Sequence, residues 1–268
     1  MGFFLLALST NAATGNNGLK SLDTGQDASP WEAVGRLDLA GRGFCTGALI
    51  ADNLVLTAAH CLFDKYSGAQ IDQAQVTFLA GWRNGRASAY RTIRRAVIHP
   101  DYEYAEEVAS SRVRNDLALL ELSRPIRNTT IKPFGTAERP RKGDRVGVVS
   151  YARGRSEAPS LQEVCTVLAR RQGVLVTSCS VDLGSSGAPI FTFAEGEAHI
   201  VSVVSAKAEM EGENVSLGTS LQKPLAQLHE ELAAGRGFAE DAPQADLRVS
   251  AGGTRRNTGA KFIRPEAQ

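Results

Sequence analysis

With 268 residues and 43 % hydrophobic side chains, the chain can bury a substantial core, and its length alone allows one domain or two. Its formal net charge is only +1, and basic pairs such as Arg94-Arg95, Arg170-Arg171 and Arg255-Arg256 are scattered among acids, which argues against a nucleic-acid-binding stripe. No apolar run is long enough to cross a membrane as a helix.

Phe3 to Leu8, followed by Ser9-Thr10-Asn11-Ala12-Ala13, has the apolar core and small-residue exit of a secretory signal, in a short form without a basic start. Residues 1–13 read as a signal remnant or as a buried N-terminal segment, and 14–29 as a further N-terminal segment. Short stretches rich in Val, Ile, Leu and Thr then recur between Gly, Asn, Asp and Pro turns, predicting strands over 34–39, 47–57, 76–79, 91–98 and 117–122. After Ser123-Arg124-Pro125-Ile126-Arg127-Asn128 a second set follows over 146–150, 163–169, 174–178, 188–192 and 200–205. The pattern is all-β, with no internal repeat of fixed period. Leu225, Leu228 and Leu232 fall at helical spacing with Gly235 just beyond, predicting a closing amphipathic helix over 223–235. From Arg236 to Gln268 the chain is polar and aperiodic, the composition of a flexible tail.

Three short motifs carry chemistry. In Gly184-Ser185-Ser186-Gly187-Ala188-Pro189, glycines around a hydroxyl allow positive φ and bring amide groups close to a bound carbonyl, although the same residues also make ordinary turns. Thr57-Ala58-Ala59-His60-Cys61 follows the apolar Leu54-Val55-Leu56 and sets a histidine at a strand end, where it is either a proton acceptor or a satisfied core residue. Asn115-Asp116 precedes the apolar Leu117 to Leu122, so Asp116 is either a cap or a group that orients a histidine.

In the order His, Asp, Ser, these motifs resemble the TAAHC, ND-apolar-ALL and GDSGGP signatures of trypsin-like (chymotrypsin-fold) serine peptidases. Pro30-Trp31, Phe44-Cys45-Thr46-Gly47-Ala48-Leu49-Ile50 and Val97-Ile98-His99-Pro100-Asp101-Tyr102 extend the likeness over roughly Pro30 to Leu228. The resemblance implies a peptidase domain over 30–235, built of two packed six-stranded antiparallel β-barrels and a C-terminal helix. Barrel one covers about 30–125 and barrel two about 133–222, with 123–128 as the crossing. It also implies a serine endopeptidase acting on polypeptides through His60, Asp116 and Ser186, with the Gly184 and Ser186 amides as oxyanion hole. No cofactor or metal is called for, and the chain is expected to be a monomer, secreted or periplasmic. A catalytically silent trypsin-fold binding module is the alternative.

Four cysteines allow several pairings, and the sequence alone does not choose among them. The resemblance implies Cys45–Cys61 and Cys165–Cys179, and hence an oxidising compartment. No CxxC or Cys/His spacing suggests a metal. Two departures stand out. Ser185 falls where the family usually carries the aspartate that pairs with a newly cut N-terminal ammonium, and nothing upstream of Pro30 resembles the Ile-Val-Gly-Gly start that supplies it. Ser180 falls where Arg/Lys-cleaving members carry aspartate, with Asp182 close by. Ser205-Ala206-Lys207 resembles the substrate-pairing strand, and Lys207, in a glycine's usual place, either narrows the specificity pocket, attracts an acidic residue or points to solvent.

Overall fold

A computed structural model of the chain describes residues 18–105, 108–138 and 140–239, so the expected signal remnant and most of the expected tail lie outside the described residues. The described chain opens with β1 (Leu19–Ser21) and a one-turn helix, α1 (Gly25–Ala28), whose N-cap Thr24 accepts from the Asp27 N–H. Next come β2 (Val34–Leu39), β3 (Phe44–Ala51), β4 (Leu54–Thr57), β5 (Val76–Ala80) and β6 (Ala89–Ile98). A short helix, α2 (Ser110–Asn115), precedes β7 (Ala118–Leu122).

These six strands pair antiparallel in the order β2-β3-β4-β7-β6-β5, and β5 returns to β2, so the ring closes. The second half repeats the arrangement with β8 (Arg145–Ala152), β9 (Arg155–Arg171), β10 (Val174–Thr177), β11 (Pro189–Ala194), β12 (Glu197–Met210) and β13 (Glu213–Ser220). Here the order is β8-β9-β10-β13-β12-β11, and β11 returns to β8. In both rings the first three strands run in sequence and the next three in reverse. Closure leaves no long unpaired edge.

Apolar side chains fill both rings. Leu37, Leu49, Phe78 and Leu119 lie inside barrel one, in one cluster with Tyr151 and Phe191 of the second half. Val148, Val167, Ile190 and Val204 fill barrel two. Burying each large aliphatic side chain contributes on the order of 2 kcal/mol. Trp31 sits where the halves meet, its ring 5.2 Å from Phe191 and 6.0 Å from Phe134.

Several boundaries differ from the sequence expectation. The apolar run 47–57 is two strands, because Asp52-Asn53 turns the chain between β3 and β4. Strands β9 and β12 outrun their apolar centres, since partners on both sides continue to satisfy their backbone. Strand β13, whose alternation is limited to Val215 and Leu217, is held between β10 and β12.

The closing helix α3 (Gln222–Ala233) buries Pro224, Leu225 and Leu228. It is joined to barrel one through Gln227, whose Oε1 lies 2.8 Å from Nε2 of the buried His99. The segment after it is not tail from its first residue. Arg236 pairs with Glu231, and β14 (Phe238–Ala239) adds to β6 opposite Ala96 and Arg95. Among the described residues no helix is long and apolar enough to cross a membrane.

Candidate active site

The β4–β7 ladder brings His60 and Asp116 together. Thr57, the last residue of β4, pairs with Ala118, the first of β7, so a residue three beyond the one lies beside a residue two before the other. Ala59–Leu62 then forms a turn of 3₁₀ helix that carries His60, and Asp116 caps α2. The Asp116 carboxylate accepts the backbone N–H of His60 at 2.9 Å and faces the ring Nδ1 at 2.7 Å. Ser205 of β12 also donates its hydroxyl to that carboxylate. Thr219 of β13 donates to the Val113 carbonyl at 2.6 Å and the Asp116 carbonyl at 3.1 Å, so barrel two holds the aspartate from below.

Asp116 is fully buried, which by itself opposes ionisation. The charge of His60 and the hydrogen bonds from His60 and Ser205 outweigh that penalty and hold its carboxyl below the ordinary 3.8. A carboxylate facing Nδ1 leaves Nε2 as the ring atom able to accept a proton.

The loop from Asp182 to Ala188 comes from barrel two, but barrel one clamps it. Thr46 of β3 is fully buried. Its N–H donates to the Ser186 carbonyl at 2.8 Å, its hydroxyl donates to the Gly184 carbonyl at 2.9 Å, and that hydroxyl accepts the Tyr151 N–H at 3.1 Å. Gly184 and Gly187 have φ of +98° and +78°. A Cβ on Gly187 would lie 2.2 Å from the Thr46 carbonyl oxygen and from Thr57 Oγ1, so only glycine fits that turn. Among the described residues the Gly184 and Ser186 amides donate to no protein group, whereas those of Ser185, Gly187 and Ala188 do. These two amides are the ones available to an incoming oxygen.

Ser186 and His60 line one cavity of about 370 Å³, whose walls include Phe44, the Cys45–Cys61 bridge and Gly184. Among the described residues the Ser186 hydroxyl makes no hydrogen bond, an open arrangement familiar in substrate-free sites. Both expected disulfides, Cys45–Cys61 and Cys165–Cys179, are formed. The donor atoms of Cys45, Cys61 and His60 lie within 4.8 Å of one another, but the two sulfurs are bonded together and are not thiolate ligands.

The three residues expected at the specificity pocket do not line this cavity. Ser180 donates its N–H to Gln162 Oε1 at 2.7 Å, and Lys207 is exposed on β12 opposite Ser216. Ser205 is buried and directs its hydroxyl to Asp116.

Ser185 lies beneath the loop, fully buried. Its hydroxyl is 3.3 Å from Ser150 Oγ and from the Tyr151 carbonyl oxygen, accepts the Asp182 N–H at 3.3 Å, and is 3.4 Å from Arg155 Nη2. Arg155 also donates to the Ser150 carbonyl at 2.7 Å and the Ser150 hydroxyl at 3.1 Å. Burial lowers the pKa of that guanidinium, while the charge of Asp182 opposes the shift. Sequence reading missed Thr46, Ser150, Arg155 and Thr219. A lone threonine inside the buried run of β3 could have flagged Thr46, whereas Arg155, in an Arg-Gly-Arg turn, carries no such signal.

The trypsin family profile matches residues 23–219. Similar sequences include a trypsin of Phaedon cochleariae, 33 % identical over 91 residues, which are 34 % of this chain and 32 % of that one. Mannan-binding lectin serine protease 1 of Mus musculus is 31 % identical over 134 residues, 45 % of this chain and 18 % of that protein. Complement C1r-A subcomponent of Mus musculus is 34 % identical over 102 residues, 36 % of this chain and 13 % of that protein. The matched segments thus span about a third or less of these relatives. Among solved structures, a Glu endopeptidase in complex with MPD superposes with a TM-score of 0.65 at 15 % identity, covering 82 % of this chain and 98 % of that one, a likeness of fold. With two closed barrels, a histidine held by a buried aspartate across the β4–β7 ladder, and a family profile running through both halves, this chain belongs to the trypsin family.

Proposed function

We propose that the chain is a serine endopeptidase, with His60, Asp116 and Ser186 in the family's catalytic roles. One observation carries the reading. The buried Asp116 fixes the His60 ring on the wall of the same cavity that Ser186 lines. Ser186 Oγ adds to the peptide carbonyl carbon while His60 Nε2 takes its proton. The carbonyl oxygen becomes an oxyanion facing the Gly184 and Ser186 amides. Collapse breaks the C–N bond, with His60 returning the proton to the leaving amine, and water repeats the sequence to release the acid and free Ser186. The roles are those of the family, carried over residue by residue. An oxyanion-hole donor of this kind lowers the barrier by about 3 kcal/mol.

We also propose that this chain orders its oxyanion loop without a cut N-terminal ammonium. Ser185 occupies the position of the usual aspartate, and the Ser185, Ser150 and Arg155 network, with the Thr46 clamp, supports the loop from within. Two disulfides favour an oxidising compartment and hence a secreted or periplasmic protein.

An active-site-directed phosphonate tests the peptidase reading. Stoichiometric labelling of Ser186, lost in Ser186→Ala and His60→Ala, supports it. No labelling of folded, oxidised protein sinks it and favours a trypsin-fold binding module. Variants trimmed to different N termini between Gly18 and Ser29 test the loop reading, which fails if activity arises at only one new terminus.

A further inference from the structure

We propose that the cavity beside His60 binds acidic side chains of the substrate on the leaving-group side of the scissile bond. The proposal rests on the peptidase reading above. His60 must reach the leaving nitrogen to protonate it, so the space that it walls beyond Ser186 receives the residues that depart with that nitrogen. The cavity runs from Ser186 and His60 over the Cys45–Cys61 bridge and includes none of Ser180, Ser205 or Lys207, which places it on that side.

Its walls are cationic. Among the described residues, Arg42, Lys65 and Arg153 line it, with Asp64 as the one acid. That acid is largely committed to its own turn, since Oδ1 accepts the Tyr66 and Ser67 N–H groups at 3.0 and 2.9 Å. Its other oxygen lies 3.6 Å from Arg42 Nη1. Arg153 stands at the far wall, its backbone N–H clipped to the Leu183 carbonyl at 2.7 Å immediately before Gly184, and among the described residues its guanidinium has no ion-pair partner. Lys65 lies over the Tyr66 ring at 4.6 Å. Apolar surface from Leu39, Phe44 and Leu183 completes the walls. The low-dielectric walls and the excess of positive charge in such a cleft focus the field on an entering carboxylate.

Paired internally quenched peptides test this. They share one acyl half and carry Asp and Glu, or Asn and Gln, at the first two positions beyond the cleaved bond, with product masses fixing the cleavage site. The acidic series is expected to have about tenfold higher kcat/KM, equivalent to about 1.4 kcal/mol. The ratio should shrink as salt rises from about 0.05 to 0.5 M, and should invert toward Lys-bearing peptides in Arg42→Glu/Arg153→Glu. Equal cleavage of both series by a protein whose Ser186 takes the phosphonate overturns this proposal alone. So does a ratio unchanged in Arg42→Gln/Arg153→Gln. Absence of both cleavage and labelling overturns the peptidase reading and this proposal with it.

Discussion

Ser185→Ala isolates the contribution of one buried hydroxyl to the oxyanion loop. Its contacts, at 3.3 to 3.4 Å, are all at the long end of hydrogen bonding, so each is worth the low figure of about 0.5 kcal/mol. The hydroxyl has one proton to give, so Ser150 Oγ and the Tyr151 carbonyl compete for it, and three bonds hold at once. The loss is therefore about 1.5 kcal/mol. A domain of this size should melt about 3 to 6 °C lower by calorimetry. The Asp182 N–H and Arg155 then lose an anchor under the loop that carries the Gly184 and Ser186 amides. Those amides meet the oxygen most strongly once it is charged, so the loss should fall on kcat, about tenfold, with KM little changed on a fluorogenic peptide. A lower melting temperature with kcat within twofold of the parent would show that the hydroxyl supports the fold and not the oxyanion hole, refuting the reasoning.

Gly187→Ala combines a φ of +78° with two 2.2 Å approaches, one to a backbone oxygen that cannot yield. It should cost at least about 3 kcal/mol and drop the melting temperature by roughly 6 °C or more. The Asp116 carboxyl is more acidic folded than unfolded, so its stabilising contribution is complete above the ordinary value of 3.8 and fades as pH falls below it. Urea midpoints measured from pH 5 downward should show that loss, and Ser205→Ala, which removes a hydrogen bond to the carboxylate and so brings its folded pKa back toward the ordinary value, should make the loss smaller and complete it at a higher pH, with its onset unchanged. Replacing Cys165 and Cys179 together by serine opens a crosslink of separation 14 and should cost about 3 kcal/mol, read from the urea midpoint under oxidising conditions.

The site was legible in the sequence because its chemistry sits in short contiguous motifs. Taken singly, the run around His60 also fits a satisfied core histidine and that around Ser186 an ordinary turn; their order with Asp116, directly before the apolar β7, carries the resemblance. The five strands read in each half recover most of both rings for a similar reason, since a buried strand must be apolar where it meets the core. What escaped was held by neighbours. Strand β13 reads Glu213-Asn214-Val215-Ser216-Leu217-Gly218-Thr219-Ser220, where only Val215 and Leu217 give an apolar alternation, and β10 and β12 supply partners along most of it. The common strand order of the two barrels is likewise invisible, as it consists of backbone pairings that many different side chains allow.

The amino-acid sequence by itself determined the all-β class, the closing helix and the candidate nucleophile with its histidine and aspartate, because each is written in adjacent residues. Only the tertiary structure decided what surrounds the Ser185 hydroxyl, which cations line the cavity, and that Ser205 faces Asp116. Ser185 lies far along the chain from Ser150 and Arg155, as Arg153 does from Arg42, and they reach one network or one cavity only when strand register and barrel packing bring them there. That convergence depends on backbone pairing across the whole fold, which no local run of side chains encodes.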